Sequence, residues 1–425
     1  MKGLNVFACL IVCTLISCSS EQKTTAPAVE ADPYEEAERL GLKTTFDDLR
    51  YRDIAPEDDA APLYASYEPT YSDETLGAIR DFVSKNENRK EIERLVNSVD
   101  FSQIELITSR PHFKMTGDWD RMVEWLLPQF MHAKYMAVML CARAVVRAQN
   151  DDIDGCVDDI ARVAALIGHL DQQGWAIAAL VRHTLVSYLA KSVTKIARTL
   201  MSRPDDLTQI ASALDEIQEP EDMDSFRYEI AFALSGVGMV ERGDVSIRQL
   251  AGYSSASDEP IDEFEMQLYK NNSEDIRKII VREYVVFAKA WDDLDELKRL
   301  SDSFEDDFEL SSGPIDSAAH VFLEITLFNY HQMRTSELTQ QAVVRGMKIG
   351  IAATILRART GERATLKEAA KAAGVSSKDP FGGELQFRNY TLPFIYTVRD
   401  DGDQGGNGRE RPLEPYDVVC FGRTS

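Results

Sequence analysis

Residues Trp119-Asp-Arg-Met-Val-Glu-Trp-Leu-Leu-Pro-Gln-Phe-Met-His-Ala-Lys-Tyr-Met-Ala-Val-Met-Leu-Cys-Ala-Arg-Ala-Val-Val-Arg-Ala-Gln149 place Met122, Trp125, Leu126, Phe130, Met136, Met139 and Leu140 at spacings of three, four and their sums. That period brings them to one face of an α-helix. The polar turn Asn150-Asp151-Asp152 follows. A second helix is then expected from Ile153 to His169, with Val157, Ile160, Val163, Ala164 and Ile167 on one face. Gln172–Leu200 repeats the pattern through Trp175, Leu180, Leu185, Leu189 and Ile196. Outward from this centre the helical period runs through 73–333, with further helices expected at 206–217, 222–239, 261–270, 273–298 and 315–333. Small residues (Ala137, Ala142, Ala144, Ala161 and Ala165) would let neighbouring helices approach closely. Antiparallel helix pairs with short polar turns indicate an irregular helical bundle or an α-solenoid-like domain. No repeat of fixed period occurs, which argues against a tetratricopeptide array.

The pattern changes after Ser336. An amphipathic helix is expected over Glu337–Thr360, with Val343, Val344, Met347, Ile351, Ile355 and Leu356 near one face and Gly361 as its C-terminal stop. A short helix at 365–373 and the turn Asp379-Pro-Phe-Gly-Gly383 come next. Period-two segments at Glu384–Asn389 and Phe394–Val398, a Gly/Asp loop at 400–408 and a last strand around Tyr416–Phe421 complete the chain. The expected fold class is therefore mainly α, with a small α+β C-terminal module carrying a short antiparallel sheet.

The N-terminus reads as an address. Met1-Lys2 precedes an apolar run from Leu4 to Ile16, and Ser17-Cys18-Ser19-Ser20 follows. A spanning helix needs ~20 apolar residues, so this run is too short to be one. It has instead the short positive start, apolar middle and small-residue cleavage site of an export signal. Leu15-Ile16-Ser17-Cys18 resembles the lipobox of bacterial lipoproteins. The resemblance implies a signal peptide over 1–17, cleavage before Cys18, diacylglycerol on the Cys18 thiol and an acylated new amino terminus. Ser19, where Asp would retain the protein at the inner membrane, implies a lipid-anchored protein of the cell envelope at the outer membrane. Several acyl chains give stable anchoring where one gives only marginal binding. Residues 18–70, rich in Ser, Thr, Pro, Ala and acids, read as a flexible tether with a short helix at 34–41. The helical domain then spans 71–333 and the C-terminal module 334–425.

Forty-seven Lys and Arg against 71 Asp and Glu leave a formal charge of -24, which becomes -25 once Lys2 leaves with the signal. Such a surface repels phosphate backbones, so nucleic acid is a poor partner. Thr365-Leu-Lys-Glu-Ala-Ala-Lys-Ala-Ala-Gly374-Val-Ser imitates the start of a helix-turn-helix, but Asp379-Pro380 ends the pattern before any recognition helix. Cys9 and Cys13 lie in the signal, leaving Cys141, Cys156 and Cys420 besides Cys18. A chain this long needs no disulfide framework. Cys141 and Cys156 are expected as small core residues.

Two further resemblances lie downstream. Asp379-Pro-Phe-Gly-Gly-Glu-Leu-Gln-Phe-Arg388 resembles the Asp-Pro-Trp-Gly-Asn-Pro-Tyr-x-Tyr turn of the major pseudopilins of type II secretion. Ile395-Tyr-Thr-Val-Arg-Asp-Asp401-Gly-Asp-Gln-Gly-Gly406 resembles their Leu-Tyr-Ser-Leu-Gly-Ala-Asp-Gly-Lys-x-Gly-Gly segment, and Leu356–Arg363 stands where their helix ends. The resemblance covers 337–421 and implies calcium in the last loop. Asp401 would be a side-chain ligand and Glu410 would stand near a later acidic one, with Asp403 and Asp417 as unmatched nearby oxygens. Calcium takes six to eight hard oxygens, which suits such a loop. Arg409, Arg411 and Pro412 stand where the paired later aspartates should be. A pseudopilin also needs an N-terminal filament helix, and this chain has a lipobox there, so filament assembly is not implied. Cys141–Leu170 resembles a loose group of exported helical proteins of unknown function, which implies no activity.

Other constellations read more simply. Asn150-x-Asp152-x-Asp154-Gly155 opens like an EF-hand, but Ala161 holds the twelfth position where a bidentate Glu is required. These residues are good helix caps instead. His320, Glu324 and His331 share one helical face, yet the last two lie ~10 Å apart along the axis, too far for one metal. No GxSxG, P-loop or GxGxxG is present. Acid runs such as Asp292-Asp293 and Glu305-Asp306-Asp307 lack the opposed arrangement that glycosidases need. The expectation is a non-catalytic binding or scaffold protein with an unidentified protein partner. The alternatives are an envelope hydrolase with a site in the helical domain, and calcium-dependent binding through the C-terminal loop.

Overall fold

The computed structural model describes residues 32–422 apart from 70, 85–88, 116, 118, 121–127, 247–262, 308–313, 327–329, 389 and 398–417. Three short helices open the described chain: α1 (Pro33–Arg39), α2 (Asp47–Arg50) and α3 (Ala61–Ala65). Composition reads this stretch as tether, but Ala37, Leu42, Phe46, Leu49 and Tyr64 are buried in it. The prolines are starts here rather than breakers. Pro33 and Pro62 occupy first-turn positions, where a missing N–H is harmless, and Asp32 accepts the Tyr34 N–H at 2.9 Å.

Next come α4 (Asp73–Ser84), α5 (Arg89–Asn97) and α6 (Ser102–Thr108), then the long α7 (Pro128–Gln149), α8 (Ile153–Asp171) and α9 (Ala176–Thr199). Every residue from Met136 to Val146 is buried, so α7 is a central helix covered on all sides. Phe130, Met136, Met139 and Leu140 lie in its core as expected, whereas Met122, Trp125 and Leu126 lie outside the described residues. Asp152 caps α8 by accepting the Gly155 N–H at 3.1 Å, which is the capping role expected of the EF-hand-like stretch. Ala161 and Leu180 differ from expectation: both face outward.

The chain continues through α10 (Pro204–Asp215), α11 (Glu229–Arg242), α12 (Glu263–Lys289), α13 (Leu294–Asp307), α14 (Pro314–Thr326), α15 (Tyr330–Thr360) and α16 (Leu366–Ala372). The break expected between helices at 261–270 and 273–298 is a kink in α12 at Asn272 (φ -129°, ψ 17°), and the second expected helix is divided between α12, which ends at Lys289, and α13, which starts at Leu294. The sheet has order β1 (Gln386–Arg388), β2 (Phe394–Thr397), β3 (Val418–Phe421), antiparallel throughout, with a bulge between Ile395 and Tyr396. The fold is thus mainly helical with a small C-terminal antiparallel sheet.

Burial divides into two cores. One gathers α7–α10, the sheet and the middle of α15 (Ala342 to Ala353), and the other gathers α11, α12, α14 and the start of α15 (Tyr330 and Met333). The boundary expected at 333/334 therefore falls inside a continuous helix, and the sheet shares the core of the central helices. Gly346 and Gly350, one turn apart on α15, set the distance to β3. A Cβ at Gly346 would overlap Cβ of Cys420, and one at Gly350 would overlap the Phe421 ring. Asp379 fastens the preceding turn: its carboxylate accepts the Phe381 N–H at 3.0 Å and the Thr397 hydroxyl at 2.6 Å.

Gly350→Ala gains ~1 kcal/mol of helix propensity but overpacks a closed contact, which costs about 1–3 kcal/mol or more. The expected result is a net loss of about 2 kcal/mol by urea unfolding. Combined with Phe421→Ala, the two losses should be markedly less than additive, whereas additive losses would mean that the glycine does not set this spacing.

Candidate functional site

A cleft of about 270 Å³ opens between the 44–50 segment, Trp119–Asp120 and the α11/α12 pair. Its apolar wall holds Phe46 and Trp119, whose rings lie 5.7 Å apart, with Ala231 and Leu234 beside them. Phe46 is held in turn by Tyr228, stacked at 6.2 Å, and by Trp175 at 6.0 Å. The polar lining comprises Arg50, Arg242 and Arg277, the hydroxyl residues Thr44, Thr45 and Ser235, and Asp47 and Asp120.

Two of the arginines are held in place. Arg242 donates from Nε to Asp244 at 2.7 Å and from Nη2 to the backbone oxygen of Asp120 at 3.0 Å. Arg277 donates from Nη1 to the Leu234 carbonyl at 3.2 Å and from Nη2 to Glu241 at 3.1 Å. They converge over Gly238, where an added Cβ would sit 3.2 Å from Nη1 of Arg242 and 3.5 Å from Nη2 of Arg277. Arg50 lies over the Tyr51 ring at 5.2 Å. Fixed guanidinium donors beside aromatic faces are binding chemistry: they orient a partner without reorganising.

The buried charges elsewhere hold helices together. Asp159, fully buried, takes Arg143 at 2.6 Å and Arg147 at 3.0 Å, and Arg143 also reaches Glu105 at 2.8 Å. Arg182 pairs with Asp171 and donates to Gln340 and to the Gln218 carbonyl, both at 2.7 Å. Glu337 accepts from Arg334 at 2.7 Å and from the Trp291 indole at 3.2 Å. Burial raises the Asp159, Asp171 and Glu337 carboxyls, and their arginines oppose that rise. His169 Nε2 faces the Arg110 carbonyl at 2.8 Å, so that nitrogen carries the proton and Nδ1 accepts from the Tyr64 hydroxyl at 3.1 Å. Burial lowers the His169 pKa, which favours this neutral form. These groups join helices to one another, and Asp171, Arg182, Glu337 and Gln340 also line a second opening beside Trp175.

The residues expected to carry function are not brought together by the described structure. Cys18, Asp401, Asp403 and Glu410 lie outside the described residues, as does Asp417. His320 and Glu324 lie on α14 and His331 on α15, with 327–329 between them outside the described residues. Cys141, Cys156 and Cys420 are buried and in no disulfide, and burial pushes the first two thiols up to about 12. Among the described residues no group of three or more His, Cys, Asp or Glu could hold a metal ion. Nor is any described helix long and apolar enough to cross a membrane. The cleft itself has no local sequence signature: its three arginines come from positions 50, 242 and 277. No family model, curated protein or solved structure matches the chain.

One buried carboxyl near the cleft wall governs a measurable pH response. Trp175 offers no side-chain cap to α9, and Glu229 of α11 supplies one, accepting the Ala176 N–H at 2.7 Å. Burial pushes its carboxyl up to about 7 from 4.5, against that hydrogen bond. The folded-state value is raised, so the unfolded chain ionises first and stability falls as pH rises from 4.5 to 7. The loss is about 3 kcal/mol in total. Glu229→Gln keeps an acceptor and removes the titration. Urea unfolding should show the variant gaining about 3 kcal/mol on the parent between these pH values, and parallel pH profiles would assign the response to other groups.

Proposed function

We propose that the chain is a lipid-anchored, exported protein of the cell envelope that binds or scaffolds a partner rather than catalysing a reaction. The observation that carries the anchoring is Leu15-Ile16-Ser17-Cys18 at the end of a short apolar run. The cleft supports the binding part of the reading. Its arginines are pre-oriented donors set beside rings, and its aspartates share the lining with those arginines. The -24 charge supports a partner other than nucleic acid. The outer membrane is the proposed destination, on Ser19. The pseudopilin-like turns support a terminal binding module, and in this reading calcium at Asp401, Asp403 and Glu410 rests on that resemblance alone.

Expression in a diderm bacterium with radiolabelled palmitate tests the anchor. The parent chain should incorporate label, fractionate with membranes and yield an N-terminal peptide that starts at a diacylglyceryl Cys18. Cys18→Ala should lose label, cleavage and membrane association together. An unlabelled, uncleaved parent N-terminus would remove the anchoring from the proposal.

A further inference from the structure

We propose that the cleft between the 44–50 segment, α11 and α12 binds a small organic oxyanion, a carboxylate or a phosphate monoester, that carries a ring or compact apolar body. This rests on the binding reading above and supplies its ligand class. The first observation is the pair of guanidinium groups converging over Gly238. Each is fixed by two partners, a carboxylate and a backbone carbonyl, so the ligand need not order them. Charge-assisted, forked donors are the groups best suited to carboxylate and phosphate oxygens. The absence of a side chain at the buried Gly238 lets both guanidiniums lie close against α11, since even one added carbon would touch both.

The second observation is the apolar part of the lining. Trp119 and the largely buried Phe46 line the same cleft, and Phe46 is itself wedged by Tyr228 and Trp175. Rigid apolar lining beside fixed cations suits a molecule with one anionic end and one apolar end. The third observation is the remaining charge. Asp47 and Asp120 line the same cleft, and Asp244 and Glu241 partly neutralise the arginines. The cleft therefore selects by directed hydrogen bonds rather than by a strong positive field, and a compact inorganic anion without an apolar body fits poorly. The Thr44 hydroxyl also lines the cleft, whereas the Thr45 and Ser235 hydroxyls donate to Asp47 and to the Asp120 carbonyl.

Calorimetric titration of the detergent-solubilised full chain at low ionic strength tests this, with phenyl phosphate, phenylacetate, inorganic phosphate and benzyl alcohol as probes. The two ring oxyanions report on the phosphate and carboxylate sources separately. At least one of them should bind, with inorganic phosphate and benzyl alcohol each ~10-fold weaker or more. Gly238→Ala, which favours the helix while pressing one carbon against both guanidiniums, and Arg242→Gln should each weaken binding by ~10-fold or more, with cooperative thermal unfolding retained. Failure of both ring oxyanions to bind, inorganic phosphate binding as well as they do, or undiminished binding in both variants would overturn the proposal. Failure of palmitate labelling would remove the anchor without touching this result, so the two readings fail separately.

Discussion

The architecture depends on how closely β3 can approach α15. A sheet normally packs on a helix across a layer of side chains, and here Gly346 and Gly350 remove that layer at two successive turns. Cys420 and Phe421 occupy the space, which brings them and Ile395 of β2 into the core of α7–α10. The same helix begins in the other core, through Tyr330 and Met333. One 31-residue element thus aligns both cores and the sheet. A change in its packing at either glycine is felt by all three.

Where the two cores meet, the contacts are polar and specific. Arg182 joins the end of α8 to α15 through Asp171 and Gln340, and Glu337 joins α15 to Trp291. Glu229 reaches from α11 to the uncapped start of α9. Such buried pairs add little net stability over apolar packing, but removing one partner strands a buried charge, at a cost of about 3–5 kcal/mol. Their effect is to penalise sliding of one core on the other. The Phe46, Tyr228 and Trp175 rings lie at the same seam, so the cleft wall is braced by contacts that also set the register of the helices.

The helices were legible because their signal is local. The 3.6-residue period, Asp152 as a cap and Gly361 as a stop follow from neighbours along the chain, and the structure has helices and termini close to them. The two cores were not legible, because nothing in the sequence of α15 marks Tyr330 and Ala342 as facing different clusters. Residues 33–65 were legible only in part, through the helix expected at 34–41 that is α1, for a related reason. Proline and acid content matches a tether, yet the same residues start and cap short helices whose few apolar side chains find distant partners such as Trp119 and Tyr228. The cleft arginines were invisible for want of any spacing rule: 50, 242 and 277 meet only through the packing of α2, α11 and α12.

Folding of the 33–65 stretch also changes what the proposed anchor could do. Read as a tether, residues 18–70 could extend ~190 Å from Cys18. With α1 starting at Pro33, only the 14 residues from 18 to 31 precede the described structure, and a chain of that length reaches ~50 Å at most. Under the proposed lipidation, the folded body then stands within that distance of the bilayer. The 44–50 wall of the cleft follows α1 directly in sequence. Under the same proposal, the net negative charge would oppose close approach of the folded body to anionic headgroups.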